Sequence, residues 1–186
     1  MMKKMRGFTL IELLIVVAII GILAALLIPN ALEAIQKAKQ KSAMKEIMTT
    51  STACADYMTD HGDFTLLAQD GPLAANNAFM TAISSFYVKV IPVNDPWNTP
   101  YNVYLGATAV TAVVTGAVAT DVGDDDFVIE SFGRNKAAGP VQASDYATDT
   151  PEAGRYNVSS MTDFNNDLVN WNGSWIVGPA SVAVGS

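Results

Sequence analysis

Hydrophobic and polar positions divide the chain into stretches of different period. From Leu13 to Ile28 no residue is charged, and between Phe8 and Ile28 the only ionisable side chain is Glu12. A helix rises about 1.5 Å per residue, so this run is long enough to cross the ~30 Å hydrocarbon core of a bilayer. After Pro29 the apolar positions take helical spacing, at Leu32, Ile35, Ala38, Ala43, Ile47, Ser51, Cys54 and Met58, with lysines elsewhere on the cylinder. The pattern predicts one helix from about Phe8 to Asp60, amphipathic in its second half. His61-Gly62-Asp63 ends it, with Gly62 suited to a left-handed cap. Pro29 and Gly21 are its weak points, proline because it removes one backbone bond and crowds the preceding turn.

Beyond the helix, Gly71-Pro72 reads as a turn and Asn76 to Ile83 as a short helix. Pro92, Pro96 and Pro100 exclude a regular strand or helix between Ile91 and Tyr101. Tyr101 to Leu105 alternates, Ala109 to Val118 is rich in β-formers, and Phe127 to Ser131 follows. These predict a small antiparallel sheet packed on the helix, an α+β fold.

With 186 residues, the chain has room for an anchor and one compact domain. Its formal charge is −7, and Lys3, Lys4 and Arg6 lie in the first seven residues; eight basic side chains then face eighteen acidic ones. Such a balance disfavours nucleic acid, whose phosphates require clustered cations. The cluster Lys37, Lys39, Lys41 and Lys45, interleaved with Glu33 and Glu46, reads as a solvated or filament-lining face. The basic residues before the apolar run place Met1 to Gly7 in the cytoplasm and the remainder outside. Cys54 is the only cysteine, which excludes an intrachain disulfide, and its position in the apolar stripe makes it a core residue. His61 reads as a surface residue, and Asp124-Asp125-Asp126 as a solvated loop. No nucleophile–base set, phosphate loop or dinucleotide fingerprint is visible, so no enzyme is expected. Glu12 stands apart, because a carboxylate within a membrane segment is costly and calls for a partner.

Gly7-Phe8-Thr9-Leu10-Ile11-Glu12, with the apolar run, Gly21 and Pro29, resembles the class III signal of the type IV pilin and type II secretion pseudopilin superfamily. The resemblance implies a leader at 1–7, removed after Gly7 by a prepilin peptidase that methylates Phe8. It implies a membrane and filament-core helix at 8–28, an amphipathic continuation at 29–61 and a globular β-rich head at 62–186, in a type IV pilin-like fold. It also implies that the Gly21 to Pro29 stretch can lose helical order in a filament; a plain proline kink is the alternative. Glu12 becomes the assembly carboxylate. Cleavage creates an ammonium on Phe8, and pairing in trans with a neighbour's ammonium would offset the cost of burying Glu12 and set the axial register.

Asp95-Pro96-Trp97-Asn98-Thr99-Pro100-Tyr101 is similar to the Asp-Pro-Trp-Gly-x-Pro-Tyr signature of the major pseudopilin, with Asn98 in place of glycine. Phe127 to Gly139 resembles that family's last strand and following loop, with Asn135 where aspartate is common. Asp163 to Val169 resembles its terminal Asp-Asp-Ile element, and 106–125 and 140–160 read as insertions. The resemblance implies calcium in that loop, held by Asp167 and Asn166 with a carbonyl near Ser131; Asn166 replaces a carboxylate and so weakens the site.

The expected function is that of a self-polymerising subunit of a type II secretion filament that drives export of folded proteins. Its expected partners are the prepilin peptidase, minor pseudopilins and an inner-membrane assembly platform with its ATPase. Its expected location is the inner membrane, single-pass, with the head in the periplasm. The alternative is a type IV pilin of a surface fibre for adhesion, twitching or DNA uptake; the lack of a cysteine pair favours the first.

Overall fold

Helix α1 runs unbroken from Leu10 to His61 in the computed structural model, which describes residues 7–67, 69–84, 86–116 and 122–180. The expected leader residues 1–6 lie outside the described residues. The helix starts in a reciprocal capping box: the Thr9 N–H and hydroxyl donate to Glu12 Oε2 at 2.9 and 2.7 Å, and the Glu12 N–H donates to Thr9 Oγ1 at 3.3 Å. It stops at Gly62, whose φ of +87° is left-handed and whose N–H donates to the Met58 carbonyl at 2.8 Å. Pro29 sits inside the helix, where the ring deprives the carbonyl of Ala25 of its donor, yet the flanking turns remain helical.

Contacts divide the chain into two units, Met1–Gln36 and Lys37–Ser186. In the first, the large apolar side chains from Phe8 to Ile28 are all exposed, from 44% at Val16 to 82% at Leu10. This helix meets the length and hydropathy of a membrane span.

In the second unit, Ala43, Ile47, Cys54 and Tyr57 of α1 are buried on one side of a six-stranded sheet. The strands are β1 (Asp70–Pro72), β2 (Asn102–Leu105), β3 (Phe127–Ser131), β4 (Arg155–Tyr156), β5 (Leu168–Trp171) and β6 (Ser174–Pro179), in spatial order β1-β2-β3-β5-β6-β4. All neighbours are antiparallel except β4 and β6, so the sheet is mixed rather than purely antiparallel. The expected turn at Gly71-Pro72 belongs to β1, where proline is tolerated at the sheet edge. The short helix α2 (Ala78–Ile83) forms as expected, with the Asn77 side chain accepting the Met80 N–H at 2.8 Å.

The tract expected as a strand from Ala109 to Val118 is different. Residues Gly106–Val113 form helix α3, and 117–118 lie outside the described residues. Val and Thr favour strands only weakly, and here packing decides: Ala109, Val110 and Val114 fall on one helical side and are buried. Val110 and Val114 join Val128, Val169, Val177, Ala143 and Tyr156 in a second core on the sheet face opposite α1. The two apparent insertions thus roof the far face of the sheet. All five residues of β3 are buried as a result, which accounts for a strand with no polar alternation.

Candidate functional site

At the amino end, Gly7 and Phe8 precede the helix in exposed, irregular chain, and Phe8 is 76% exposed. Glu12 lies one turn further on. Both Thr9 donors go to its Oε2, and Oε1 accepts no hydrogen bond among the described residues. One carboxylate oxygen therefore holds the helix start while the other is available to a donor from outside the chain.

In the Lys37–Ser186 unit the proline-rich segment is organised by Asp95. Its Oδ1 accepts the N–H groups of Trp97 and Thr99 at 3.0 and 2.9 Å, and its Oδ2 accepts the Ser131 hydroxyl at 2.7 Å. Asn98, which stands where the signature has glycine, has φ +65°, a conformation asparagine tolerates better than most residues. Tyr101 then donates to Glu46 Oε2 of α1 at 2.7 Å, and burial followed by the Glu46 carboxylate pushes its phenol pKa up. The segment is thus pinned to β3 at one end and to α1 at the other.

The loop after β3 returns beside Asn166 and Asp167, the expected calcium residues. Gly133 has φ +66°, and a Cβ there would come within 2.7 and 2.8 Å of the Asn166 and Phe164 carbonyls; a Cβ on Gly139 would strike the Asn165 carbonyl. This close approach lets the Gly139 N–H donate to Asp167 Oδ1 at 2.9 Å and the Val141 N–H to Asn166 Oδ1 at 3.3 Å. Asp167 is fully buried, and its Oδ2 has no hydrogen-bond partner. Burial, then the neighbouring Glu130 carboxylate, raise the Asp167 pKa from 3.8 to about 8, with Asp145 adding to the rise against the Gly139 N–H. Glu130 is itself buried and shifted upward, mainly by burial, against the hydrogen bonds from Asn102 at 3.1 Å and Tyr104 at 3.4 Å.

Of the residues expected at the calcium site, Asn166 and Asp167 are consecutive, and Ser131 of β3 pairs with Leu168, the next residue along. Asn166 and Asp167 are adjacent and inward, whereas the Ser131 hydroxyl points to Asp95 and leaves only its carbonyl for the role expected of that neighbourhood. No group of three or more His, Cys, Asp or Glu residues that could hold a metal occurs among the described residues, so amide and carbonyl oxygens would have to complete any set. The orphaned Oδ2 of a buried carboxylate nevertheless fits a hard cation.

Sequence reasoning missed Glu130, which reads as the polar member of an ordinary strand until both sheet faces prove covered. It also missed Asp126, expected in a solvated loop: that residue is buried and accepts from the Trp171 Nε1–H at 3.1 Å, the Asn172 side chain and the Gly123 N–H. Asn172-Gly173 was a usable signal, because both residues take positive φ and close the β5–β6 hairpin as an Asn-Gly turn does. His61 is exposed as expected and stacks on Tyr57 with ring centres 4.0 Å apart. Cys54 is buried, which raises its thiol pKa and makes it unreactive.

The pattern described as the prokaryotic N-terminal methylation motif matches residues 2–28. Type II secretion system core protein G of Aeromonas hydrophila is 32% identical over 105 residues, covering 53% of this chain and 72% of that protein. Its namesake in Vibrio cholerae is 34% identical over 107 residues, covering 54% of this chain and 73% of that protein. The type IV major pilin protein PilA of Myxococcus xanthus is 43% identical over 65 residues, which is 35% of this chain but only 30% of that pilin. No solved structure matches. Likeness to the core G proteins extends over most of their length and likeness to the pilin does not, so the chain belongs to the family of type II secretion system core protein G.

Proposed function

We propose that the chain is the major pseudopilin of a type II secretion system, a structural subunit that polymerises through α1 into a filament driving export of folded proteins. The observation that carries this reading is the apolar stretch Phe8 to Ile28, whose large apolar side chains are all exposed and whose only charged residue is Glu12. Such a surface requires a bilayer while the subunit is stored and neighbouring helices once it is assembled. The relatives that the chain matches bear the names of a secretion-system core protein and a pilin, which supports a structural role.

In this reading a prepilin peptidase cuts between Gly7 and Phe8 and methylates the new amino terminus. The ammonium of an incoming Phe8 meets Glu12 of a neighbour, at the carboxylate oxygen that Thr9 leaves unused. The pair replaces a buried lone charge, which costs several kcal/mol (~3–5 when one partner is removed), by a neutral contact. Each wrong axial step leaves that charge unpaired, so the contact selects register as well as contributing affinity. The amino terminus lies in the cytoplasm and the head in the periplasm of an inner-membrane, single-pass precursor. Minor pseudopilins and an assembly platform with its ATPase supply initiation and work.

Calcium is the proposed cofactor of the head. Asp167 Oδ2 and Asn166 Oδ1 would hold it, with a carbonyl near Ser131, and the ion would neutralise the buried carboxylate and tie the Gly133–Gly139 loop to β5. Deleting the gene tests the function: loss of secreted enzymes with surface fibres intact supports the secretion reading, and the opposite phenotype supports a type IV pilin.

A further inference from the structure

Glu130 and Asp167 share the sheet face turned away from α1. Glu130 lies opposite Val169 in the β3–β5 register, and Val128 and Val169 belong to the core on that face. Ile129 and Leu168 pack in the core beneath α1. Strand alternation therefore turns Asp167, the residue before Leu168, to the same face as Glu130. Asp167 stands two places before Val169 and so is the diagonal neighbour of Glu130, at a spacing of roughly 7–8 Å that a long side chain spans.

Neither group has the full set of partners that a buried carboxylate needs. Glu130 is 4% exposed and Asp167 0%. Asp167 Oδ1 accepts the Gly139 N–H, but Oδ2 has no partner. Glu130 Oε2 accepts from Asn102 and Tyr104, while Oε1 accepts no hydrogen bond among the described residues. No lysine or arginine forms an ion pair with either group among the described residues. The Glu130 charge acts on Asp167, so the two lie within electrostatic reach. Tyr156 of β4 donates to the Asp167 carbonyl at 3.4 Å and closes one side of the pair. Two like charges in such a dry place repel, and a cation between them removes the cost.

We propose that Glu130 is a further ligand of the calcium ion assigned to Asp167 and Asn166, its Oε1 supplying the carboxylate that Asn166 lacks. In the calcium reading of the head, on which this rests, Asp167 and Asn166 set one negative charge against the ion's two, and Glu130 brings the second. Affinity for calcium follows the number of charged ligands, so the second carboxylate decides how tightly the ion is held. The Asn166 amide oxygen and backbone carbonyls would complete the oxygen set. Glu130 also changes what the ion joins: β3 is tied to the start of β5 through a side chain on the covered face, and not only through the loop between Gly133 and Gly139.

Calorimetric titration of the full chain in detergent with calcium tests this. Glu130→Gln keeps an acceptor for Asn102 and Tyr104 and removes only the charge. It is expected to raise the calcium dissociation constant at least about tenfold, with the melting temperature in EGTA within roughly 3 °C of the wild type. Adding Asn166→Asp to Glu130→Gln is expected to return the affinity to within about threefold of the wild type, because the second carboxylate is restored. Should Glu130→Gln fail to accumulate, the wild type decides: with its glutamate carboxyls labelled with heavy carbon, one equivalent of calcium is expected to shift a glutamate carboxylate stretch in the infrared spectrum. Equal affinity of wild type and Glu130→Gln, an unshifted stretch, or a loss of stability in EGTA as large as that in calcium overturns the ligand role of Glu130 and leaves calcium on Asp167 standing. Absence of calcium binding by the wild type overturns the calcium reading, and the ligand role with it.

Discussion

The Ser131 hydroxyl donates to Asp95 Oδ2 at 2.7 Å, joining the end of β3 to a loop 36 residues earlier. Asp95 also holds the Trp97 and Thr99 amides, so one buried carboxylate satisfies three donors from two segments. Asp95→Ala leaves all three unpaired and should cost about 2–4 kcal/mol, with Asp95→Asn costing less because one acceptor remains. Denaturant titration of the full chain in detergent, followed by the fluorescence of buried Trp97, measures both.

Asn98 occupies the left-handed region at φ +65°. Asn98→Gly should leave stability within about 0.5 kcal/mol of the wild type, whereas Asn98→Val should lose roughly 1–2 kcal/mol through backbone strain. The same titration separates them; equal losses from both would mean that the asparagine side chain, rather than the backbone, is what the loop requires.

At Gly139 the obstacle is space. A Cβ would meet the Asn165 carbonyl and the backbone of Asn166 and Asp167, so Gly139→Ala must displace the loop and its hydrogen bond to Asp167. We expect more than about 2 kcal/mol of destabilisation, against ~1 kcal/mol for Gly62→Ala, where φ is positive but no atom lies within 4 Å.

Asp167 gives the head a pH dependence of definite sign. Its pKa rises from 3.8 to about 8 on folding, so the folded state keeps a proton that the unfolded chain releases. The associated stability is present in full below the unfolded value and is lost as pH rises through about 8; Glu130, shifted the same way, acts in the same sense. In EGTA the melting temperature should therefore fall between pH 5 and 8 by the measure of roughly these carboxyls, and Asp167→Asn should flatten the fall. Millimolar calcium should raise the melting temperature more at the higher pH, and EGTA should reverse it. No calcium shift at either pH would remove the proposed ion from the account.

The long helix, its cap at Gly62 and the strands around Val103 and Ile129 were legible because their periodicity arises from one buried side of each element. Helix α3 was not, since its valines are β-formers whose helical side becomes apolar only once it covers the outer face of β3. Asp126 and Glu130 were hidden for a related reason: an acidic residue next to a turn or within a strand is normally solvated, and only the added layer buries them. The burial of Asp167 and Asn166, the residues proposed for calcium, and the bond from the Ser131 hydroxyl to Asp95 depend on contacts between segments far apart in the chain, which no local pattern records. Glu12 was legible at once, as the single charge in an apolar run.

That charge carries the central claim, and Glu12→Gln tests it most directly. Glutamine keeps the length and can still accept from Thr9, so the helix start and membrane insertion should persist, while the neighbour's ammonium loses its counter-charge. Quantifying sheared filaments against membrane-inserted, processed subunit should give at least a roughly tenfold lower filament yield at equal subunit level. A normal yield from Glu12→Gln would contradict the account.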